Sequence, residues 1–331
     1  MPTVLPDKAT LRAALESAVR APSIYNSQPW RWRAGPTTGV DLFADPVRHL
    51  IAVDPDGRDL LLSCGAALHH LCVALGDLGW SARIDRLPDP EESRLLAHVQ
   101  PQSARPSAEA SRLAGAIGLR RTDRRRFSAQ PVEEALLRAL VDQAAAHEAT
   151  LYIASGTGAR ERLIELLTLS GSLQRQQAGY AAELARWAGR YAHSGDGIAA
   201  GSVPGGIDNP GEVPMRAFPN TGLAQSPHSF EHQDASVLMV LASVSDDRPA
   251  VLRAGEATSA VLLAATDLGL ATTILSQPLE VAQTRASISS DILGSELSAQ
   301  LVLRVGWAQP GAPELPPAPR RRLQDVVEWN R

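Results

Sequence analysis

Lysine is all but absent from this chain. Lys8 is the only one among 32 basic residues, so arginine is the default ligand wherever an anion has to be held. There are only two cysteines, Cys64 and Cys72, eight residues apart on an expected helix. That spacing separates them by about 12 Å along the axis, too far for a mutual disulfide. No apolar run reaches about 18 residues and no signal-peptide core is seen, which argues against a membrane span and makes the cytoplasm the expected location. A net charge of −4 excludes a general pull towards nucleic acid or anionic lipid. Gly-x-Ser-x-Gly, Walker and Cys-x-x-Cys motifs are missing. The run Ala154 to Gly158 imitates a dinucleotide fingerprint but lacks its third glycine and the acidic residue of a second strand. His228 and His232 have no third metal ligand nearby, and the adjacent His69 and His70 face different ways on a helix.

What the chain does contain is a long internal repeat. Residues 56–84 align with 246–274 without a gap at an offset of 190, and ten of 29 positions are identical, among them Gly65/Gly255 and the Asp-Leu-Gly stop at 77–79 and 267–269. About two or three matches would arise at ordinary residue frequencies. Each copy reads as a long helix with small residues on one face, a glycine stop and a strand. Gly65 with Ala66 and Ala67, and Gly255 with Ala257 and Ala260, allow close backbone approach. An antiparallel pairing of the two helices across a pseudo-twofold axis is the expectation.

The rest reads as α+β. Helices are expected near 7–20, 106–118, 131–146 and 159–191, and strands near 39–43, 150–154, 236–243 and 299–305. Two lobes follow, 1–110 and 111–331. Residues 194–230 are rich in Gly, Pro, Ser and Asn, and their apolar punctuation at Met215, Phe218 and Phe230 suits a packed lid-like insertion. The tail Pro310–Pro319 is expected to be extended.

Two segments carry chemistry. Arg120, Thr122 and Arg124 place guanidinium, hydroxyl and guanidinium at i, i+2 and i+4, a set that surrounds a phosphate if it sits near a helix N-terminus. Arg121, Arg125 and Arg126 leave that register open by one residue. In APSIYNSQPWRW (21–32), Pro22 ends a helix and Ser23 suits a cap. Asn26 and Gln28 offer paired amide groups, while Trp30 and Trp32 suit packing anchors. Tyr25, Tyr180 and Tyr191 are available as donors, with nothing to select among them.

These segments, with GRDLLLSCGAAL (57–68), LRRTDRRRF (119–127), LRAGEATSAVLLAATDLGLATTIL (252–275) and LRVGWAQP (303–310) followed by PRR (319–321), resemble the nitroreductase superfamily, in particular Acg-type NAD(P)H nitroreductases of mycobacteria. The resemblance runs nearly end to end. It implies a nitroreductase-like fold; with both segments in one chain the expectation is a duplicated single-chain pseudo-dimer, monomeric. Because the N-terminal lobe keeps only the Asn-Ser-Gln-Pro-Trp segment and the C-terminal lobe only the phosphate arginines, one flavin mononucleotide (FMN) is expected at the seam between lobes. It implies a phosphate site at Arg120, Thr122 and Arg124, with Arg121 as the register alternative. Arg320 and Arg321 resemble basic residues that close over the same phosphate. Pro22, Ser23, Asn26 and Gln28 would address the ring, and Ser276 and Gln277 its N5 side. NAD(P)H and a small nitroaromatic or quinone are the implied partners, with no nucleic acid or membrane. No catalytic acid or base is implied, because the flavin carries the chemistry. The alternative is a protein that stores, sequesters or senses FMN with little turnover.

Overall fold

The computed structural model describes residues 5–190, 194–204, 213–225 and 227–330. Tyr191, residues 205–212 of the lid-like stretch and the side chain of His228 lie outside the described residues. The N-terminal half runs α1 (Lys8–Ala18), β1 (Trp30–Gly35), β2 (Gly39–Ala44), α2 (Arg58–Asp77), β3 (Trp80–Arg86) and β4 (Leu95–Ser103). After α3 (Ala108–Leu119) come α4 (Glu134–Ala145), β5 (Thr150–Ile153), α5 (Thr157–Gln176) and α6 (Tyr180–Trp187). The short pair β6 (Ala188–Arg190) and β7 (Ile198–Ala199) precedes β8 (Val237–Ser243), α7 (Arg248–Asp267) and β9 (Ala271–Leu275). The chain ends through α8 (Gln277–Glu280), α9 (Ala282–Asp291), β10 (Ser298–Gly306), α10 (Leu323–Val326) and β11 (Val327–Trp329).

Two sheets flank the long helices. One has the order β11-β1-β2-β4-β3, the other β5-β8-β10-β9. The second repeats the first strand for strand: β2 and β8 lead into α2 and α7, and each helix is followed by two antiparallel strands that pair with each other. Only β11 breaks the match. It returns from the C-terminus to lie parallel beside β1, so the last residues complete the sheet built by the first.

α2 and α7 pack against each other with almost no side chain between them. A Cβ on Gly65 would stand 2.0 Å from the Leu252 carbonyl oxygen, and one on Gly255 would stand 2.2 Å from the Leu62 carbonyl oxygen. Leu62 and Leu252 are themselves paired by the 190-residue offset, so the contact is reciprocal. His69 and Ser259, another offset pair, meet directly, with Nδ1 and Oγ 2.8 Å apart. The helices run in the same direction, which corrects the antiparallel expectation. Arg58 at the start of α2 pairs with Asp246 just before α7, at 2.7 Å. At the far ends, Ser111 donates to Asp77 and its neighbour Arg112 to Asp267, so both C-termini lie under α3. The sequence fixes which faces are small, but direction is set by the sheets to which the helices are tethered.

A second correction concerns 159–191. The expected single helix breaks at Gly179, where φ of +83° lies in the region glycine adopts without strain. α2 is the one described helix long and apolar enough to cross a bilayer by length and composition, yet it is packed inside the fold between α1, α3 and α7. Trp30 and Trp32 are fully buried in the largest apolar cluster, as packing anchors should be.

Two measurements follow from this core. Gly65→Ala forces a methyl into the Leu252 carbonyl and should cost about 1–3 kcal/mol or more, read as a lowered Tm. Gly118→Ala, with nothing within 4 Å of its added Cβ, serves as the control and should leave Tm unchanged or raised. The second measurement is acid stability. Burial pushes His69 down to about 3, and His70 well below its usual range. Below the unfolded value of about 6.5 the unfolded chain takes up protons that the folded chain refuses. The stability contributed by these neutral imidazoles is therefore complete above pH 6.5 and is lost as pH falls towards 3. Tm measured stepwise from pH 7 to 4 should drop, and His69→Gln should flatten the slope.

Candidate functional site

A cavity of about 480 Å³ opens where the N-terminal segment, α2, the strand ends of the second sheet and the C-terminal tail meet. That volume suits a ligand the size of a nucleotide cofactor. Pro22, Ser23 and Asn26 line one wall with Asp59, Ser63 and Ala66 of α2. The opposite wall carries Arg120, Arg121, Thr122 and Arg124, together with Ser276 and Gln277 after β9. Arg320 and the tail from Leu315 close one end, and Met215, Arg216 and Phe218 cover the other. Ten of the twelve residues singled out from the sequence thus meet at one cavity. Gln28 and Arg321 do not line it; they brace its wall from behind.

The arginine segment is built differently from the sequence expectation. It does not sit at a helix N-terminus, because Arg120 is the C-cap of α3. A helix C-terminus repels anions, so the helix contributes nothing here. Residues 120–124 instead run extended beside the start of β9, with a bridge between Thr122 and Thr272 and the Asp123 amide donating to the Thr272 carbonyl at 2.9 Å. An extended chain alternates its faces, and that period of two is why i, i+2 and i+4 converge. Arg125 turns away and pairs with Asp123 at 2.7 Å. Arg126 is engaged by the Ser229 and His232 carbonyls, so both it and Arg125 are committed to protein groups, whereas Arg121 lines the cavity beside Arg120, Thr122 and Arg124.

The electrostatics of the closed end are unbalanced. The Arg120 guanidinium is buried with no hydrogen-bond or ion-pair partner among the described residues, and its Nε is orphaned. Arg320 donates only to the neutral acceptors Asn26 Oδ1 and backbone carbonyls, and its Nε is orphaned too. Arg121 likewise bonds only carbonyls. Arg124 has the Ser202 carbonyl at 3.3 Å and the Phe218 ring. Burial, then repulsion from Arg121 and Arg124, lowers Arg120 to about 10; burial and the neighbours Arg120, Arg20 and Arg121 lower Arg320 to about 9. Burial and Arg216 lower Arg124 to about 10. A buried cation without a counter-charge is costly, and several together are a site preorganised for a multiply charged anion.

α2 acts as a ruler for the other dimension. His70, behind the closed end, feels Arg120 and Arg320, whereas Asp59 feels Arg216 and Glu280. Their separation of eleven positions spans about 16 Å of helix. The cavity therefore fits an elongated ligand with an anionic tail and a head lying against Ser63, Leu62 and Asp59.

The amides of Asn26 and Gln28 do not project free into the cavity. Asn26 Nδ2 donates to the carbonyls of Gly197 and Pro319, at 3.1 and 2.9 Å. Gln28 Nε2 donates to the Gly195 carbonyl at 2.8 Å, and its Oε1 accepts from the Arg321 amide at 2.9 Å. Both side chains thus hold the covering segment and the tail in place. Tyr25, Asn26 and Gln28 all have positive φ, a strained stretch that these bonds over-determine. Ser23 accepts from the Gln28 amide, and Ser63 accepts from the Ile24 amide. At the far end, Ser276 donates to Glu280, and Gln277 to Gln174.

Sequence reasoning missed Asp59, Arg216 and Glu280. Arg216 pairs with Glu280 at 2.5 Å and donates to the Tyr25 and Tyr180 hydroxyls. Asp59 carried a readable signal, a carboxylate heading an otherwise apolar helix.

No family model matches the chain. Curated relatives do. "Putative NAD(P)H nitroreductase Rv3131" of Mycobacterium tuberculosis is 42% identical over 329 residues, covering 99% of this chain and 94% of the relative. "Putative NAD(P)H nitroreductase acg" of the same organism is 36% identical over 328 residues, covering 98% and 97%. Among solved structures, the FMN-dependent nitroreductase NfnB of Mycobacterium smegmatis, in complex with NADPH, is 16% identical with a TM-score of 0.43. It matches 68% of this chain and 100% of its own. An FMN-bound nitroreductase of Bacteroides fragilis is 15% identical with a TM-score of 0.37, over 62% and 92%. On the full-length sequence similarity, the chain belongs to the nitroreductase family, in its Acg-type mycobacterial branch.

The charge imbalance gives a direct test on the protein as purified without ligand. Inorganic phosphate should raise its Tm more than chloride at matched ionic strength, since an anion that binds only the folded state stabilises it. Arg120→Gln with Arg320→Gln should remove the difference. An equal response to both salts would remove the anion site.

Proposed function

We infer that the chain is an internally duplicated, single-chain counterpart of a nitroreductase dimer, with lobes 1–110 and 111–331 and one FMN held between them. The observation that carries the cofactor reading is the buried arginine cluster without carboxylate partners. Arg120, Arg121, Thr122, Arg124 and Arg320 would hold the phosphate. Ser23, Ser63 and the strand end at Ser276 and Gln277 would border the ring. Asn26 and Gln28 serve the site by fastening the segments that enclose it. When bound, FMN supplies hydride and single-electron chemistry that no side chain can provide. NAD(P)H is the reductant and a nitroaromatic or quinone the acceptor. The chain's own residues fix the phosphate, exclude water and shape access.

Supporting the duplication are the matched strand orders of the two sheets and the reciprocal Gly65 and Gly255 contact. Supporting a single flavin is the fate of the symmetry-related positions. Ser63 and Ala66, which line the cavity, correspond by the offset to Arg253 and Glu256. Those two pair with Glu148 and Arg86, so the symmetry-related positions carry ion-paired charges in place of the small cavity-lining side chains.

One observation favours the storage reading. Met215, Arg216 and Phe218 cover the cavity, and the same covering segment is fastened at Gly195 and Gly197. Rapid mixing of the FMN-saturated protein with NADPH separates the two. Fast loss of flavin absorbance is the outcome for an oxidoreductase; a flavin that stays oxidised assigns storage. The phosphate assignment has its own test. Charge-assisted hydrogen bonds are worth about 1.5–3 kcal/mol each, so Arg120→Glu with Arg124→Glu should abolish FMN retention. A double variant that purifies yellow refutes the assignment.

A further inference from the structure

We propose that Asp59 is the acid of this cavity, a carboxyl group that delivers a proton to the acceptor during its reduction. The inference rests on the oxidoreductase reading above. Asp59 heads α2, is 6% exposed and lines the cavity. Its carboxyl has no hydrogen-bond or ion-pair partner among the described residues.

The surroundings disfavour its carboxylate form. Every cation near it already has an acid of its own. Arg58 pairs with Asp246 at 2.7 Å and donates to Gln300. Arg216 pairs with Glu280, whose second oxygen accepts from Gln174 at 2.5 Å. Asp54 takes the Leu60 amide at 2.9 Å and has His49 Nε2 at 4.0 Å. Asp59 is the carboxyl left over, and Tyr25 nearby is held as a neutral phenol by burial. Desolvation, then Asp54 and Glu280, push Asp59 well above the carboxylate range, against the weaker pull of Arg216 and Arg58. A carboxylic acid kept neutral at pH 7 inside a cavity is the form required of a general acid.

The step balances as follows. A quinone accepts a hydride equivalent, which leaves an oxyanion on its carbonyl oxygen. The Asp59 O–H bond breaks as the new O–H bond forms there, leaving Asp59 as carboxylate. In this proposal the proton is restored from solvent by way of Asp54, raised by burial to about 6, and the part-exposed His49 4.0 Å from it. The sum is quinone, NAD(P)H and one proton going to hydroquinone and NAD(P)⁺.

The test uses full-length protein loaded with FMN and reduced by stoichiometric dithionite, so a failure with NADPH would sink the reading above but leave this measurement standing. Menadione, which takes up protons, is compared with ferricyanide, which takes none, across pH 5 to 10. For the wild type the menadione rate should fall at high pH as Asp59 ionises. In Asp59→Asn that limb should vanish, and the ratio of menadione to ferricyanide rates should drop about 100-fold, the low end for a general acid. Carbon-13 titration of the aspartate carboxyls supplies a readout without turnover, and should show Asp59 protonated at pH 7 in the wild type. An ionised Asp59 at pH 7, or equal slowing of both acceptors in the variant, overturns the proposal.

Discussion

The structure depends on two glycines that let α2 and α7 touch backbone to backbone. Because a methyl at Gly65 or Gly255 would fall within about 2 Å of a carbonyl oxygen, the helices can sit at this separation only while both positions lack a side chain. That closeness brings the two sheets to opposite sides of one helical layer. It also brings the strand end at Ser276, which belongs to one sheet, within reach of the α2 face that carries Asp59 and Ser63. The cavity is a consequence of this spacing, since its walls are drawn from elements more than 200 residues apart in the chain.

The second constraint is charge. Arg120, Arg121, Arg124 and Arg320 border the cavity without a carboxylate to neutralise them, while Glu280 is committed to Arg216 and burial raises the Asp59 carboxyl. Such an arrangement favours an anionic ligand, since a buried guanidinium without a counter-charge is destabilising on its own. The cavity is thus polarised along α2, cationic at Arg120 and Arg320 and bearing at Asp59 a carboxyl raised by burial. A ligand has one orientation in which its charges are satisfied.

The enclosure is held by an economical set of contacts. Asn26 and Gln28 each bond a covering segment on one side and the C-terminal tail on the other, from a stretch held at positive φ. The strain is local and the bonds that maintain it are long-range, so releasing the covering segment also relaxes the wall.

Much of this was legible in the sequence. The repeat at an offset of 190 identified the helices that pair, and the i, i+2, i+4 arginines marked a segment that lines the cavity, because small-residue faces and chemical groupings are properties of local spacing. The asparagine and glutamine of 26–28 were marked as important, but their amides turned out to hold protein, since only the folded chain brings Gly197 and Pro319 within reach. Helix direction, the extended rather than capping geometry of 120–124 and the isolation of Asp59 were decided by tertiary structure. Each depends on which distant group arrives as a neighbour, whether a sheet, a strand edge or a competing ion pair. The amino-acid order settles which residues are able to interact, and the packing of the two sheets around α2 and α7 settles which of them do.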